Sequence, residues 1–385
     1  MKEHLATGNE AAAIAARLAK VDCIPVYPVT PQTEVIETIA SWVADGEMKT
    51  EFFTMDSEHS VMSAAVGSST AGARTFTATS SQGLLLMNEV LHIASGMRLP
   101  IVMANVSRGL SAPITLWCDH NDFLNQKGAG WVQVHAQNNQ EVLDSILMGF
   151  RISEDRRVLL PSMINMDGYV LSYTKEPLNV PSQKQVKKFL PDYKPKHAFI
   201  KKNKPLIQGP AVLRPTPYTY FKNQQHMANL NALGLIQETC KEFKKVFGRD
   251  YGNGLIEEYM TKDAETVIVT QGSISTTAKA AVNAMREKGE NVGLLRLRTI
   301  TPWPARHVGE ALEEAYRVVV FEKNISPGRG GMMTAEIKAS LYDRGIAPKI
   351  TSIIMGLGGN PESIELFEKG VKLAKTRKKE VYWLE

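Results

Sequence analysis

Three short stretches hold residues whose types and spacing could do chemistry. In VYPVTPQTEV (residues 26–35), Thr30 stands between two prolines, after an apolar run and ahead of a helical pattern. Pro31 is pre-shaped for a first helical turn, so Thr30 is expected at the N-cap, where its hydroxyl contributes about 1 kcal/mol. The same hydroxyl and free amides also make a place for a carboxylate. In MDSEHSVMSAAVGSS, Glu58 follows a strand and opens a helix. A glutamate in a first turn is usually a surface residue that suits the helix dipole. Here Val61, Met62, Ala64, Ala65 and Gly67 predict a buried helix, and a carboxylate so placed is kept for a specific partner. In ANVSRGLSAPITLWCDHND, Arg108 ends a strand beside Gly109 and precedes a loop of about twenty residues, long enough to be functional. Arginine suits two-point binding of a carboxylate or phosphate. Ser81, Gln82 and Gly83 in ATSSQGLLLM bring a hydroxyl and an amide to another strand end.

Other signals turn away from several chemistries. Asp119, His120 and Asp122 in the same loop invite a metal, but their spacing matches no known site, and a polar loop is the expectation. Cys23, Cys118 and Cys240 lie far apart, with no CxxC, and are expected as small core residues. Three thiols also fall short of what a cubane iron–sulfur cluster takes. Neither GxxxxGK nor GxGxxG occurs, and the runs GRGG (328–331) and GLGG (356–359) are expected to be turns. A net charge of +5 over 385 residues is too weak to argue nucleic-acid binding. No apolar run has the length of a membrane span and the N-terminus has no signal-peptide core, which points to a cytoplasmic protein.

The elements that must position these residues alternate. Residues 8–20 and 31–46 read as helices, with DCIPVY, EFFTM, RTFTAT, PIVMANV, WVQVHA and RVLLPSM as strands between helical segments. Such alternation predicts an α/β fold of parallel sheets covered by helices. Residues 175–203, rich in lysine and proline, read as a wrapping connector with a solvated face, and 223–247 as a long helix. A second strand–helix series runs from TVIVTQGS to KITSII, and KTRKKE reads as a charged tail. The expected division is therefore 1–230, a helical spacer over 231–262, and 263–385.

Taken together, VYPVTPQTEVIE, SEHSVMSAAVGSSTAGARTFTATSSQGLLLMNE, SRGLSAPITLWCDHND, NNQEVLDSILMGFRISED, KFLPDYKPKHAF, FEKNIS and LGGNPES resemble the alpha subunit of pyruvate:ferredoxin oxidoreductase and related 2-oxoacid:ferredoxin oxidoreductases. The resemblance covers nearly the whole chain. It implies a pyrimidine-binding-like domain of a thiamine diphosphate site, followed by a transketolase C-terminal-like domain. Glu58 matches the glutamate that hydrogen-bonds the cofactor's aminopyrimidine, Thr30 and Arg108 match the pair that holds the 2-oxo acid's carboxylate, and Ser81, Gln82 and Gly83 fall on the cofactor side. The reaction implied is oxidative decarboxylation with coenzyme A, giving acyl-CoA, carbon dioxide and reduced ferredoxin. Pyruvate is the favoured substrate, with branched-chain and aryl 2-oxo acids open. The diphosphate and magnesium motif, GDG followed by an asparagine, is absent, as are cluster cysteines. The resemblance assigns these to a beta subunit and to gamma and delta or fused [4Fe-4S] subunits. A non-catalytic interaction subunit that keeps the fold is the alternative.

Overall fold

The computed structural model describes residues 2–195, 199–342, 344–376 and 378–385; part of the KFLPDYKPKHAF stretch lies outside them. The first half of the chain contributes β1 (Lys2–Ala6), β2 (Cys23–Val26), β3 (Glu51–Thr54), β4 (Phe76–Thr79), β5 (Val102–Ser107), β6 (Val132–His135), β7 (Ser162–Asp167) and β8 (Glu176–Val180). β4, β5, β7 and β6 lie side by side in that order and are parallel. β2 adjoins β4 through a parallel bridge from Cys23 to Thr75, and β3 lies parallel on its other side. Every residue of β2, β4, β5, β6 and β7 is buried, as strands covered on both faces must be. The edge strand β3 is mostly exposed.

The second half contributes β9 (Ile256–Tyr259), β10 (Thr266–Gln271), β11 (Val292–Leu297), β12 (Thr299–Thr301), β13 (Arg317–Glu322), β14 (Lys349–Ile354) and β15 (Val381–Trp383). Six of them form a sheet in the order β15-β14-β13-β10-β11-β9, parallel apart from β9. β12 departs from it and pairs antiparallel with β6 of the first sheet. The two sheets also share a core: Val61, Met62, Leu84 and Leu91 pack in one cluster with Val269, Leu297 and Ile300.

Several sequence expectations change. The long helix begins at Pro215, not at 223, because proline is favoured at a first helical position, and it ends at Phe247 before Gly248, whose φ is +79°. The stretch 248–262 is not helical; β9 belongs to the second sheet. Residues 176–189 are more than a wrapping connector. β8 pairs antiparallel with β1, and a capping box from Ser182 and Gln185 starts a helix whose Val186 and Phe189 are buried. Beyond KTRKKE the chain is not a tail: VYW forms β15. Helix Glu58–Thr70 is buried on one face only, with Ser63 and Gly67 exposed. No helix among the described residues is long and apolar enough to cross a membrane.

Candidate active site

Ligands of open parallel sheets bind beyond the carboxyl ends of the strands, and there the loops after β2, β4, β5 and β7 converge. Ser57 caps helix Glu58–Thr70 through the Ser60 amide and places Glu58 in the first turn, 9% exposed. Its carboxylate lies against Gly83. A Cβ built on that glycine would stand 2.5 Å from Glu58 Oε1 and 2.7 Å from Thr79 Oγ1, so only glycine leaves the carboxylate its place. Arg108, 8% exposed, reaches across the loops: one terminal nitrogen donates to the Thr30 carbonyl at 2.7 Å and the other to Gln82 Oε1. Ser81 adopts φ +52°, in the left-handed region, and its hydroxyl proton is shared between Gln82 Oε1 and the Gly109 carbonyl, 2.6 and 2.9 Å away. All six residues singled out from sequence therefore meet in one place: Thr30, Glu58, Ser81, Gln82, Gly83 and Arg108.

Thr30 is there by a different route from the one expected. It does not cap the following helix, which starts at Thr33 with Gln32 at its N-cap. Residues 29–32 first close a turn through Gln32 N–H to the Val29 carbonyl, with the Thr30–Pro31 peptide cis. The turn aims the Thr30 carbonyl at Arg108. Among the described residues no hydrogen bond engages its half-buried hydroxyl, which stays available to a ligand.

Asp122 is what the sequence reading missed. It is more than loop polarity: it is fully buried, and accepts from Ser81 N (2.9 Å), Ser107 Oγ (2.9 Å), Phe123 N (2.7 Å), Arg108 N (3.3 Å) and Asn105 Nδ2 (3.3 Å). Burial raises its pKa, against the pull of these donors. One carboxylate thus holds the backbones of both Ser81 and Arg108. Burial also lowers the Arg108 pKa, with Asp122, Glu58 and Tyr169 opposing it.

His120 is buried as well. Gln271 Nε2 lies 3.2 Å from its Nδ1 and Asp167 Oδ1 3.0 Å from its Nε2, so the proton sits on Nε2 and is donated to Asp167. Asp167 also meets His135, Ser273 Oγ and Lys323. Burial alone would raise it, but His120 and Lys323 hold it well below the ordinary carboxylate range. Cys118, His120 and Asp167 place possible ligand atoms within 4.8 Å of one another. Lys323 Nζ, 3.4 Å from Asp167 Oδ2, already brings the balancing positive charge there. Cys23 and Cys240 are buried and unbridged, like Cys118.

The site carries the marks of a polar ligand to come. Thr79 Oγ1, Ser80 Oγ, Gln82 Nε2 and Arg108 Nε are buried and have no hydrogen-bond partner among the described residues, which native structures rarely tolerate without a ligand or water. A roomier cavity lies elsewhere. At about 540 Å³, it is lined by Arg98, Pro100, Arg151 and Leu159 near the opposite ends of β5 and β7.

Residues 14–239 match the family model described as "Pyruvate flavodoxin/ferredoxin oxidoreductase, thiamine diP-bdg", and 264–367 match "Pyruvate:ferredoxin oxidoreductase core domain II". The chain is 43% identical to pyruvate synthase subunit PorA of Methanothermobacter thermautotrophicus over 98% of its own length and 97% of that protein's. It is 41% identical to ketoisovalerate oxidoreductase subunit VorA of Pyrococcus horikoshii, over 92% and 89% of the two chains. Its fold is similar to 2-oxoglutarate:ferredoxin oxidoreductase from Magnetococcus marinus, with a TM-score of 0.77 at 18% identity over 97% of this chain and 65% of that one. A split-gene transketolase is more distant, at a TM-score of 0.56 and 12% identity. The chain belongs to the pyruvate:ferredoxin oxidoreductase family, as an alpha subunit.

Proposed function

We propose that this chain helps to build the active site of an enzyme that oxidatively decarboxylates a 2-oxo acid with coenzyme A, yielding acyl-CoA, carbon dioxide and reduced ferredoxin. Pyruvate is the first choice of substrate. The observation that carries the reading is the meeting of Glu58, Thr30 and Arg108 among buried polar atoms that lack partners. Thiamine diphosphate, when bound, supplies a carbon nucleophile and an electron sink that no side chain offers. Glu58 would hold its aminopyrimidine, with the Gln82 amide, the Thr79 hydroxyl and the Gly83 backbone bordering the same space. Arg108 and the Thr30 hydroxyl would bind and orient the substrate carboxylate. The guanidinium, already held by the Thr30 carbonyl and Gln82, loses little freedom on binding.

The exposed β3, Leu86 and Ile93 on the helices after β4, and Ile114 in the loop after Arg108 fit a surface covered by a beta subunit that carries the diphosphate and magnesium site. Clusters and ferredoxin docking fall to further subunits, and residues 1–230 serve as the pyrimidine-binding domain. The VorA relative favours branched-chain 2-oxo acids as a second reading. The test uses the native complex with all co-purifying subunits, a panel of 2-oxo acids and a viologen acceptor. Glu58→Ala is expected to lower turnover at least a hundredfold, in the range of a lost acid–base group. Unchanged turnover would make this an interaction subunit instead.

A further inference from the structure

The loop that follows Arg108 is fastened to the second half of the chain. Asn121 makes a reciprocal pair with Ile325, its Nδ2 donating to the Ile325 carbonyl and its Oδ1 accepting from Ile325 N, both at 2.9 Å. The His120 amide donates to the Lys323 carbonyl at 2.8 Å. Trp117 lies on the turn at 357–359: a Cβ on Gly359, whose φ is +86°, would stand 2.7 Å from its indole carbons. The indole also meets the Tyr169 ring at a tilt of 38°, with centroids 4.8 Å apart. At the near end the loop returns to its start, Gly109 N–H donating to the Trp117 carbonyl at 2.9 Å. From the second half to Arg108, the contacts are continuous.

We propose that Asn121 and Gly359 are positioning residues through which the second half of the chain sets affinity for the 2-oxo acid. They touch no substrate. They fix Trp117 and the end of the loop, and so the place at which Arg108 presents its guanidinium. The inference rests on the reading of Arg108 as the carboxylate holder.

The experiment compares Arg108→Gln, Asn121→Ala, Asn121→Asp, Gly359→Ala and Gly359→Ala/Trp117→Ala in the purified multi-subunit complex. Readouts are KM for the 2-oxo acid, KM for coenzyme A, and Tm. Losing both amide bonds in Asn121→Ala is expected to raise KM for the 2-oxo acid about tenfold and leave KM for coenzyme A in place. Asn121→Asp keeps the acceptor for Ile325 N–H and is expected to fall between wild type and Asn121→Ala. Gly359→Ala should raise the same KM, and removing the indole as well should give no further rise. If Arg108→Gln raises KM while the Asn121 and Gly359 variants change only Tm, or both KM values equally, the positioning proposal is overturned and the carboxylate reading stands. If Arg108→Gln leaves KM for the 2-oxo acid unchanged, that reading falls and the proposal with it.

Discussion

Gly83 matters at the residue scale for the atom it lacks. Its Cα faces the Glu58 carboxylate and the Thr79 hydroxyl so closely that a methyl group has nowhere to go. Alanine would gain about 1 kcal/mol of helix propensity there, offsetting much of an overpacking cost of roughly 1–3 kcal/mol. Gly83→Ala is therefore expected to cost no more than about 2 kcal/mol, a fall in Tm of a few degrees. Displacement of the carboxylate should lower kcat about a hundredfold, the usual effect of a misplaced group near 1 Å. Viologen reduction by the complex, with Tm on the same sample, measures both.

Among the elements, the helix Asn139–Ser153 anchors the join between the two sheets. Its Glu141, with no exposed surface, pairs with Arg296 of β11 and with Arg298, which lies between β11 and β12. Burial would raise the Glu141 pKa, but the two guanidiniums turn the shift downward. Glu141→Gln leaves the buried Arg298 without its carboxylate and Arg296 with Glu257 alone, a loss of about 3–5 kcal/mol. Thermal unfolding should show a Tm lower by many degrees, whereas Glu141→Asp, which keeps the charge, should recover part of it. This ion triad also shows why elements were legible and their joins were not. Strand and helix periodicity is local, so β4, β5, β10 and the helix Glu58–Thr70 could be read directly from sequence. The antiparallel additions β9 and β12, and the pairing of β1 with β8, depend on partners far along the chain. The same holds at the site. Thr30, Glu58 and Arg108 announce themselves by standing at strand ends. Asp122 and His120 look like loop polarity until tertiary packing buries them, and the role of Gly359 exists only because Trp117 comes to rest on it.

At the scale of the whole molecule, the buried charges where the halves meet impose a pH dependence. Burial depresses the His120 pKa to about 4 from an ordinary 6.5. The folded state thus binds fewer protons than the unfolded one between these values. The stabilisation is complete above pH 6.5 and is lost as pH falls toward about 4. Asp167, held low, works in the same direction further into acid. Asp119 opposes His120, since burial lifts it from 3.8 to about 6 and its protonation favours the fold between these values. Tm measured between pH 7 and 4 should fall less steeply in His120→Gln than in wild type; parallel slopes would remove His120 from the account.

β12 gives the family's two-part description an unexpected reading. Thr299 and Thr301 lie within the segment matched as core domain II, yet they hydrogen-bond to β6, a strand of the thiamine-binding segment. Sequence boundaries and physical boundaries therefore do not coincide. A gene fragment ending after the first match would produce a sheet with one raw margin, ready to recruit whatever strand it met. For the same reason, grafting a foreign second half onto this first half would have to reproduce that three-residue stitch before anything else could fit.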